Sequence, residues 1–406
     1  MISVSQAEEI ILATLLDIPK QNTPLAQAFG SVLQQDIKAD RDFPPFDRVT
    51  MDGIAIRYED FVKGIRRFQI SSIQAAGMPQ QNLDKAGQCI EIMTGAICPK
   101  GADTIIRYED IKLIEGDSGP RFAELQIETL RFNQNIHFQG TDHKAGLVLV
   151  SAGRRIEAPE IAIAASSGYT QLQVRKSPKI AIISTGDELV EIETQPLPHQ
   201  IRRSNGYMIQ AALEAWGVKA ATFHLVDEPA SMRESLQRIM DQFPILILSG
   251  GVSKGKFDFV PDTLAQLGIQ QKFHRIAQRP GKPFWFGCNE SQSHILFALP
   301  GNPVSTFVNF HRYFRPWFRN SMGITHTGKQ YAKLKEDFSF KPALTYFLQV
   351  KTEVDKNGQI WAQPVEGHGS GDFVNLLKVN ALLELPASRN DFKAGEAFPL
   401  FRFRAD

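Results

Sequence analysis

From Lys179 onward the chain alternates short, β-branched apolar runs with amphipathic stretches. "KIAIIST", "AATFHLV", "PILILSGG" and "HILFALPG" read as strands, each bounded by a turn signal. Between and after them "SNGYMIQAALEAWG", "PASMRESLQRIMDQF", "FVPDTLAQLG" and "PVSTFVNFHRYFRPWF" carry helical periodicity, the first with Ser204 as N-cap and Gly217 as stop. Buried strands alternating with helices predict a parallel, doubly wound sheet. Residues 46–150 have a different texture, with short strands such as "GIAIRY", "RRFQISSIQAAG" and "QCIEIMTGAICPKGADTIIRYEDI" at close, glycine-punctuated spacing, which predicts a β domain. "SVLQQDIKA" reads as strand-like, and "APEIAIAASSG" (158–168) as a short helix leading out of the β domain. After Gly328 the strands return ("YAKLKEDFSFK", "TYFLQVKTEV", "QIWAQPVEG", "ALLELP", "AFPLFRF"), predicting a small antiparallel barrel or sandwich.

A chain of 406 residues exceeds one hydrophobic core, so about two to four domains are expected. A hydrophobic content of 43% and a charged content of 22% are ordinary for a globular chain. The net charge of +1 argues against bulk attraction to nucleic acid or an anionic membrane. "MISVSQAEEIILATL" reads as an amphipathic helix with a Ser5/Glu8 capping box, not as a secretion signal. No apolar run approaches the roughly 20 residues of a membrane span. Cys89, Cys98 and Cys288 are odd in number and lack C-x-x-C spacing, which fits buried small hydrophobes in a reducing cytoplasm.

In an open parallel sheet, ligands bind beyond the carboxyl ends of the strands. Here those ends carry "STGDEL" with Asp187 and Glu188, "HLVDEP" with Asp227, "LSGGVSKGKFDF" with Gly250, Gly251, Ser253, Lys254 and Asp258, and "LPGNPVS" with Pro300, Gly301, Asn302, Pro303 and Ser305. "RIAQRPGKPFWFG" adds Arg279 and Lys282. Carboxylates are hard ligands suited to Mg²⁺. Glycine turns let amides approach an oxyanion, and a helix opening at Val304 adds its partial positive charge. Lys and Arg neutralise phosphate. Each residue alone has a plainer reading as a cap, a turn hydroxyl or a solvated charge. Convergence on one rim points instead to a phosphorylated ligand handled with a metal ion.

Rival motifs fail. Gly250–Lys256 mimics G-x-x-x-x-G-K, but Phe257 stands where a P-loop needs Ser or Thr. The histidines show no zinc spacing, and G-x-S-x-G is absent. In the β domain, "PPFDRVTMDGIAIR" and "IMTGAICPKGADTII" read as rigid, non-periodic loops, the former with Asp47 and Asp52.

Taken together, "PPFDRVTMDGIA", "IMTGAICPKGADTII", "STGDELVE", "RSNGYMI", "LSGGVSKGKFDFV", "RPGKPFWFG", "LPGNPVSTF" and "GHGSGD…NALLELP" resemble the MoeA family of molybdopterin molybdenumtransferases, the counterpart of the gephyrin and plant Cnx E domains. The pieces keep family order from residue 44 to 386. The resemblance implies a multidomain α/β plus β fold. Its parts are a discontinuous helical linker domain (1–45 with 143–176), an inserted β domain (46–142), a MogA-like doubly wound α/β domain (177–327) and a C-terminal β barrel (328–406). It further implies a cytoplasmic homodimer whose active site lies between subunits. The implied reaction inserts molybdate into adenylylated molybdopterin, releasing AMP and yielding molybdenum cofactor, with Mg²⁺ or a similar ion. The adenylyltransferase that makes the substrate and the enzymes that accept the cofactor are the implied partners.

Carried over by motif, Glu188, Asp227 and Asp258 match the family's metal-side acids, and Lys282, Pro300 and Pro303 its anion-side turn. Asp52, Thr94 and Asp142 match residues contributed by the other subunit, and Ser370 matches the barrel's Gly-Ser-Gly. The chain departs from the family pattern at Lys256, at Arg202 and Arg203, and at Arg279. The first two departures exchange negative for positive charge beside the metal-side acids. They favour one alternative, a pterin carrier or dimeric scaffold; a second, a molybdopterin adenylyltransferase, would fit the α/β domain alone, but the β domain and the barrel argue against it.

Overall fold

The strands Ile180–Thr185, Ile245–Ser249 and Ile295–Leu299 are buried along their whole length, which is why they read as unbroken apolar runs. They lie at the heart of a six-stranded sheet in the computed structural model, which describes all residues except 116–118, 227, 253–258, 326–327, 405–406 and the side chain of Ala230. The sheet order is Ala220–Leu225, Ile180–Thr185, Ile245–Ser249, Ile295–Leu299, Trp285–Cys288, Gln270–His274. The first four are parallel, in the registers Ile180↔Ala220, Ile180↔Ile245 and Ile245↔Ile295. The last two run antiparallel, so the sheet is mixed rather than wholly parallel. The antiparallel pair was missed because its loop, rich in Pro and Gly, hides the strand pattern of "FWFGC".

Both faces of this sheet are covered. Ile180, Ile182, Ile247 and Phe297 pack with Phe284, Phe314 and Trp317 on one side. Ala181, Ile183, Leu246 and Leu248 pack with Met232, Leu236 and Leu264 on the other. The helix after the last strand starts at Pro303, with Asn302 as N-cap. Proline suits that first position because its missing N–H would be unpaired there anyway. The helical run is not uniform: Pro303–Asn309 passes through a π segment, Phe310–Phe314, before Arg315–Ser321. Ser204 does precede the helix Asn205–Glu214, but its side chain makes no capping hydrogen bond.

The first helix spans Val4–Ala13 and is capped two residues earlier in sequence than expected, by Ser3 and Gln6 rather than Ser5 and Glu8. Ser3 Oγ accepts from the Gln6 amide (3.1 Å), and Gln6 Oε1 accepts from the Ser3 amide (2.9 Å). Burial of Val4, Ala7 and Ile11 fixes the helical phase, and Glu8 is thereby turned toward Arg312 instead of the cap.

Toward the C-terminus five strands close into a ring. Thr345–Val354 pairs with Ile360–Pro364 and Ala381–Leu385, and Ala397–Arg402 joins Ala381–Leu385 to Gln330–Leu334. A parallel pairing of Gln330–Leu334 with Ile360–Pro364 completes the barrel. Its core holds Leu348, Val350, Leu383 and Phe398. Gln278–Arg279 adds a short parallel strand to it at Thr345–Tyr346.

Two compact units account for the chain. One comprises residues 1–35, 152–157 and 171–406; the other comprises 36–151 and 158–170. The second unit is built on a six-stranded sheet in the order Thr104–Arg107, Gly53–Ile56, Gln88–Ile92, Arg67–Gln74, Phe122–Leu125, Ile111–Ile114. Its α-helices are Tyr58–Val62 and Ala158–Ser166. Only Ile37–Lys38 of the strand-like "SVLQQDIKA" is a strand, paired with Val148–Val150; Val32 and Leu33 form isolated bridges in the first unit. Cys89, Cys98 and Cys288 are buried thiols, and burial, followed by neighbouring acids, pushes Cys89 and Cys98 up to about 12. Among the described residues no helix is long and apolar enough to cross a membrane.

Candidate active site

The carboxyl ends of the parallel strands open onto a cavity of about 570 Å³. Its walls are the turns that follow three strands: Thr185–Gly186, Gly250–Gly251 and Pro300–Pro303. These turns interlock tightly. A Cβ at Gly250 would lie 2.6 Å from the Thr185 carbonyl oxygen, and Gly250 holds φ at +101°. Only glycine fits such a backbone without strain. The Gly250 amide donates to the Leu299 carbonyl (3.1 Å), which ties the third strand's turn to the last strand.

Asn205 is the clasp of the rim. Its Nδ2 donates to Ser249 Oγ (2.8 Å) and the Gly301 carbonyl (2.7 Å), with Thr306 Oγ1 at 3.3 Å. Sequence reasoning missed this role, although Asn205 stands inside the quoted "RSNGYMI". Its signal is an asparagine at the first helical position, where a side-chain amide can reach the neighbouring strand ends. Asn205 Oδ1 and Thr185 Oγ1 are buried there without a hydrogen-bond partner among the described residues. The backbone amides of Gly186, Gly251, Gly301 and Asn302 likewise carry no hydrogen bond among the described residues. Unpaired donors of this kind are what an oxyanion recruits. The Val304 amide is not among them, because it donates to the Ser370 carbonyl (3.1 Å), while Asn302 Nδ2 donates to Ser370 Oγ (2.9 Å). The expected positive helix end is therefore partly satisfied by the barrel.

A second cavity, about 430 Å³, lies on the other side of the same turn, with Pro300, Asn302 and Pro283 common to both. It brings together Arg279, Lys282, Ser305 and Ser370, and adds Tyr346 and His368, which sequence reasoning did not find. Burial raises the Tyr346 hydroxyl above its ordinary range, and Arg279 partly offsets this. The loop carrying the two cations is held from beneath. Gln278 Nε2 donates to the Pro280 carbonyl (2.9 Å) and Asn309 Oδ1 (2.8 Å), and Asn309 Nδ2 donates to the Gly281 carbonyl (3.1 Å). Tyr313 donates its hydroxyl proton to Gln278 Oε1. Gly281 adopts φ +88°, and a Cβ there would sit 2.4 Å from Asn309 Oδ1.

Of the acids expected to bind metal, Glu188 is exposed on the wall of the first cavity. Asp227 and Asp258, like Ser253, Lys254 and Lys256, lie outside the described residues. Among the described residues no three His, Cys, Asp or Glu side chains form a metal-binding cluster. A short parallel ribbon, Leu189–Val190 beside Ile201–Arg202, carries Glu188 and Arg203 at its ends. Arg203 is paired with Glu191, whose carboxyl is held below its ordinary range first by that hydrogen bond. Arg203 is thus neutralised where it stands. Arg202 Nε donates to the Thr194 carbonyl (3.2 Å).

In the second unit, Asp52 Oδ1 accepts from the Thr94 amide (2.6 Å) and the Thr94 hydroxyl (2.8 Å). These bonds hold the Asp52 carboxyl below its ordinary range. Asp142 contacts His137 at 2.9 Å, and the other ring nitrogen of His137 meets Arg48 at 3.2 Å. The three predicted residues therefore border the same loop, Asp52 and Thr94 directly and Asp142 through His137. Asp47 fastens that loop by accepting from the Gln139 amide (2.8 Å).

Comparison with known proteins adds an independent line. Residues 2–168 match the MoeA N-terminal region (domain I and II), 181–320 a probable molybdopterin binding domain, and 331–403 the MoeA C-terminal region (domain IV). A molybdopterin molybdenumtransferase of Synechocystis sp. is 38% identical over 407 residues, covering 99% of this chain and 100% of that protein. One from Staphylococcus epidermidis is 32% identical, covering 97% and 94%. A crystal structure described as the molybdopterin biosynthesis MoeA protein of Pyrococcus horikoshii superposes with a TM-score of 0.83 at 27% identity, over 100% of both chains. Motif order, fold and full-length similarity thus agree: the chain belongs to the MoeA family of molybdopterin molybdenumtransferases.

Proposed function

We propose that this chain inserts molybdate into adenylylated molybdopterin, releasing AMP and yielding molybdenum cofactor. The observation that carries this reading is the pair of cavities sharing one Pro-Gly-Asn-Pro turn. The first offers unpaired amides and Glu188, which suit a pyrophosphate-linked pterin. The second offers Arg279, Lys282 and Ser370, which suit a compact dianion such as molybdate. The shared turn sets the two substrates side by side, which lowers the entropic cost of their reaction.

A divalent cation, Mg²⁺ in our reading, fits the hard oxygen donor of Glu188, with Asp227 and Asp258 as its further ligands. When bound, it supplies charge neutralisation to the phosphoanhydride. The amides of Gly251, Gly301 and Asn302 bind and orient the pyrophosphate oxygens. Lys282 and Arg279 bind molybdate, and Ser370 fixes the turn through Asn302. The reading includes a cytoplasmic homodimer in which a second copy supplies the loop around Asp52, Thr94 and Asp142. It keeps the four-part division into linker, inserted β, α/β and barrel domains, and hand-over partners on either side of the reaction.

The test supplies purified protein with adenylylated molybdopterin, molybdate and Mg²⁺. Molybdate-dependent AMP release is expected. ATP consumption with molybdopterin would mark an adenylyltransferase instead, and tight pterin binding without turnover would mark a carrier. Glu188→Ala is expected to lower AMP release by about 10²-fold or more while leaving the sedimenting mass unchanged. Unchanged turnover would remove Glu188 from the reaction.

A further inference from the structure

A third cavity, about 330 Å³, shares no lining residue with the two already described. It is walled by Arg155, Arg175, Arg315 and Arg319, and no Asp or Glu lines it. Four cations in one hollow are out of proportion to a chain whose net charge is +1.

Their local partners do not balance them. Arg155, Arg315 and Arg319 form no ion pair among the described residues. Arg175 has one ion pair among the described residues, with the fully exposed Asp17 carboxylate at 3.5 Å, and the same nitrogen donates to the Ile18 carbonyl. Arg175 Nε is buried without a hydrogen-bond partner among the described residues. Arg315 spends one nitrogen on the Arg402 carbonyl (2.7 Å). Burial, then the charge of Arg319 one helical turn on, lowers the Arg315 guanidinium below its ordinary range. Like charges at that spacing destabilise a helix unless something lies between them.

The helix dipole does not explain the arrangement. Arg315 and Arg319 lie toward the end of a helical run, where a cation is worth about 0.3–1 kcal/mol. Arg155 and Arg175 come from separate segments and gain nothing from it. The remaining wall is mixed and includes the aromatic rings of Phe29, Trp216 and Phe318. Trp216 stacks on Phe310 (5.4 Å) and Phe318 (5.8 Å), with the Arg315 guanidinium 5.8 Å from its ring.

We infer that this cavity is a second anion site, built for a phosphorylated small molecule carrying at least two negative charges. Guanidinium forks match phosphate oxygens bidentately. The volume lies at the lower end for ligand pockets and is too small for a folded partner.

Inorganic pyrophosphate is the probe, titrated calorimetrically into the full-length protein. Arg155→Gln/Arg319→Gln removes two cations and leaves the backbone-anchored Arg175 and Arg315 in place. One binding equivalent per chain is expected to weaken at least tenfold in that variant and to persist in Lys282→Ala, whose lesion lies in the other cavity. Arg155→Gln alone, at an exposed position, is expected to weaken the same equivalent, which keeps the test readable should the double variant fold poorly. Identical stoichiometry and affinity in wild type and the arginine variants would overturn the inference. So would a change in sedimenting mass with binding unaltered, which would make the arginines an interface between copies.

Discussion

Asp52 shows how much a single residue's setting decides. Its position in a Met-Asp-Gly turn is legible in the sequence, but the Thr94 contact joins positions 42 apart and is visible only in the fold. Because Thr94's amide and hydroxyl favour the carboxylate, the folded state binds that proton less readily than the unfolded chain. The stability this pair adds is present above the ordinary aspartate range and is lost as pH falls through the lowered folded value. Thr94→Val removes the hydroxyl and keeps the amide, so the Asp52 carboxyl, followed by NMR, is expected to titrate at higher pH than in wild type. An unmoved titration would show that the amide alone sets it. Glu188, Lys282 and the 300–303 turn were likewise visible as motifs, whereas the roles of Asn205, Tyr346 and His368 were not. Asn205 and His368 stand inside quoted motifs, but what marks all three is the fold, which sets Asn205 against distant strand ends and brings Tyr346 and His368 into the second cavity.

Among the elements, the best-read were those whose burial is uniform. The strands at 180, 245 and 295 are apolar on both faces, so their pattern does not depend on which way they point. The antiparallel pair at 270 and 285 failed because its identity comes from the partner it joins, and a π segment inside the long helix has no sequence period of its own. The turn at Gly250 is where element geometry bears most closely on the site. Gly250→Ala would drive a methyl into the Thr185 carbonyl and force a positive φ, which costs about 1–3 kcal/mol from overpacking. Denaturant unfolding is expected to show a loss of that size, with weaker binding of the adenylylated pterin. A neutral result would show that the Thr185 turn can yield.

Across the larger unit, Arg312 ties together segments far apart in sequence, 304 residues from Glu8 and 72 from Glu384. It is 3% exposed, with Nε on Glu384 of the barrel (2.9 Å) and a terminal nitrogen on Glu8 of the first helix (2.9 Å). Burial alone would lower its guanidinium, but Glu384 and Glu8 outweigh that and raise it. Arg312→Met leaves both acids without their counter-ion and is expected to cost about 3–5 kcal/mol in equilibrium unfolding. Replacing all three by apolar residues of similar size is expected to recover most of that loss; failure to recover would assign the effect to packing around the π segment. None of this was readable from Arg312 itself, since an arginine in an aromatic run looks like a solvated face. The knot of Gln278, Asn309, Tyr313 and the Gly281 carbonyl has one more consequence. The loop that presents Arg279 and Lys282 is already immobilised when the chain folds. An arriving dianion then finds its clamp preset, and the entropic penalty of ordering that clamp is subtracted from folding rather than from affinity.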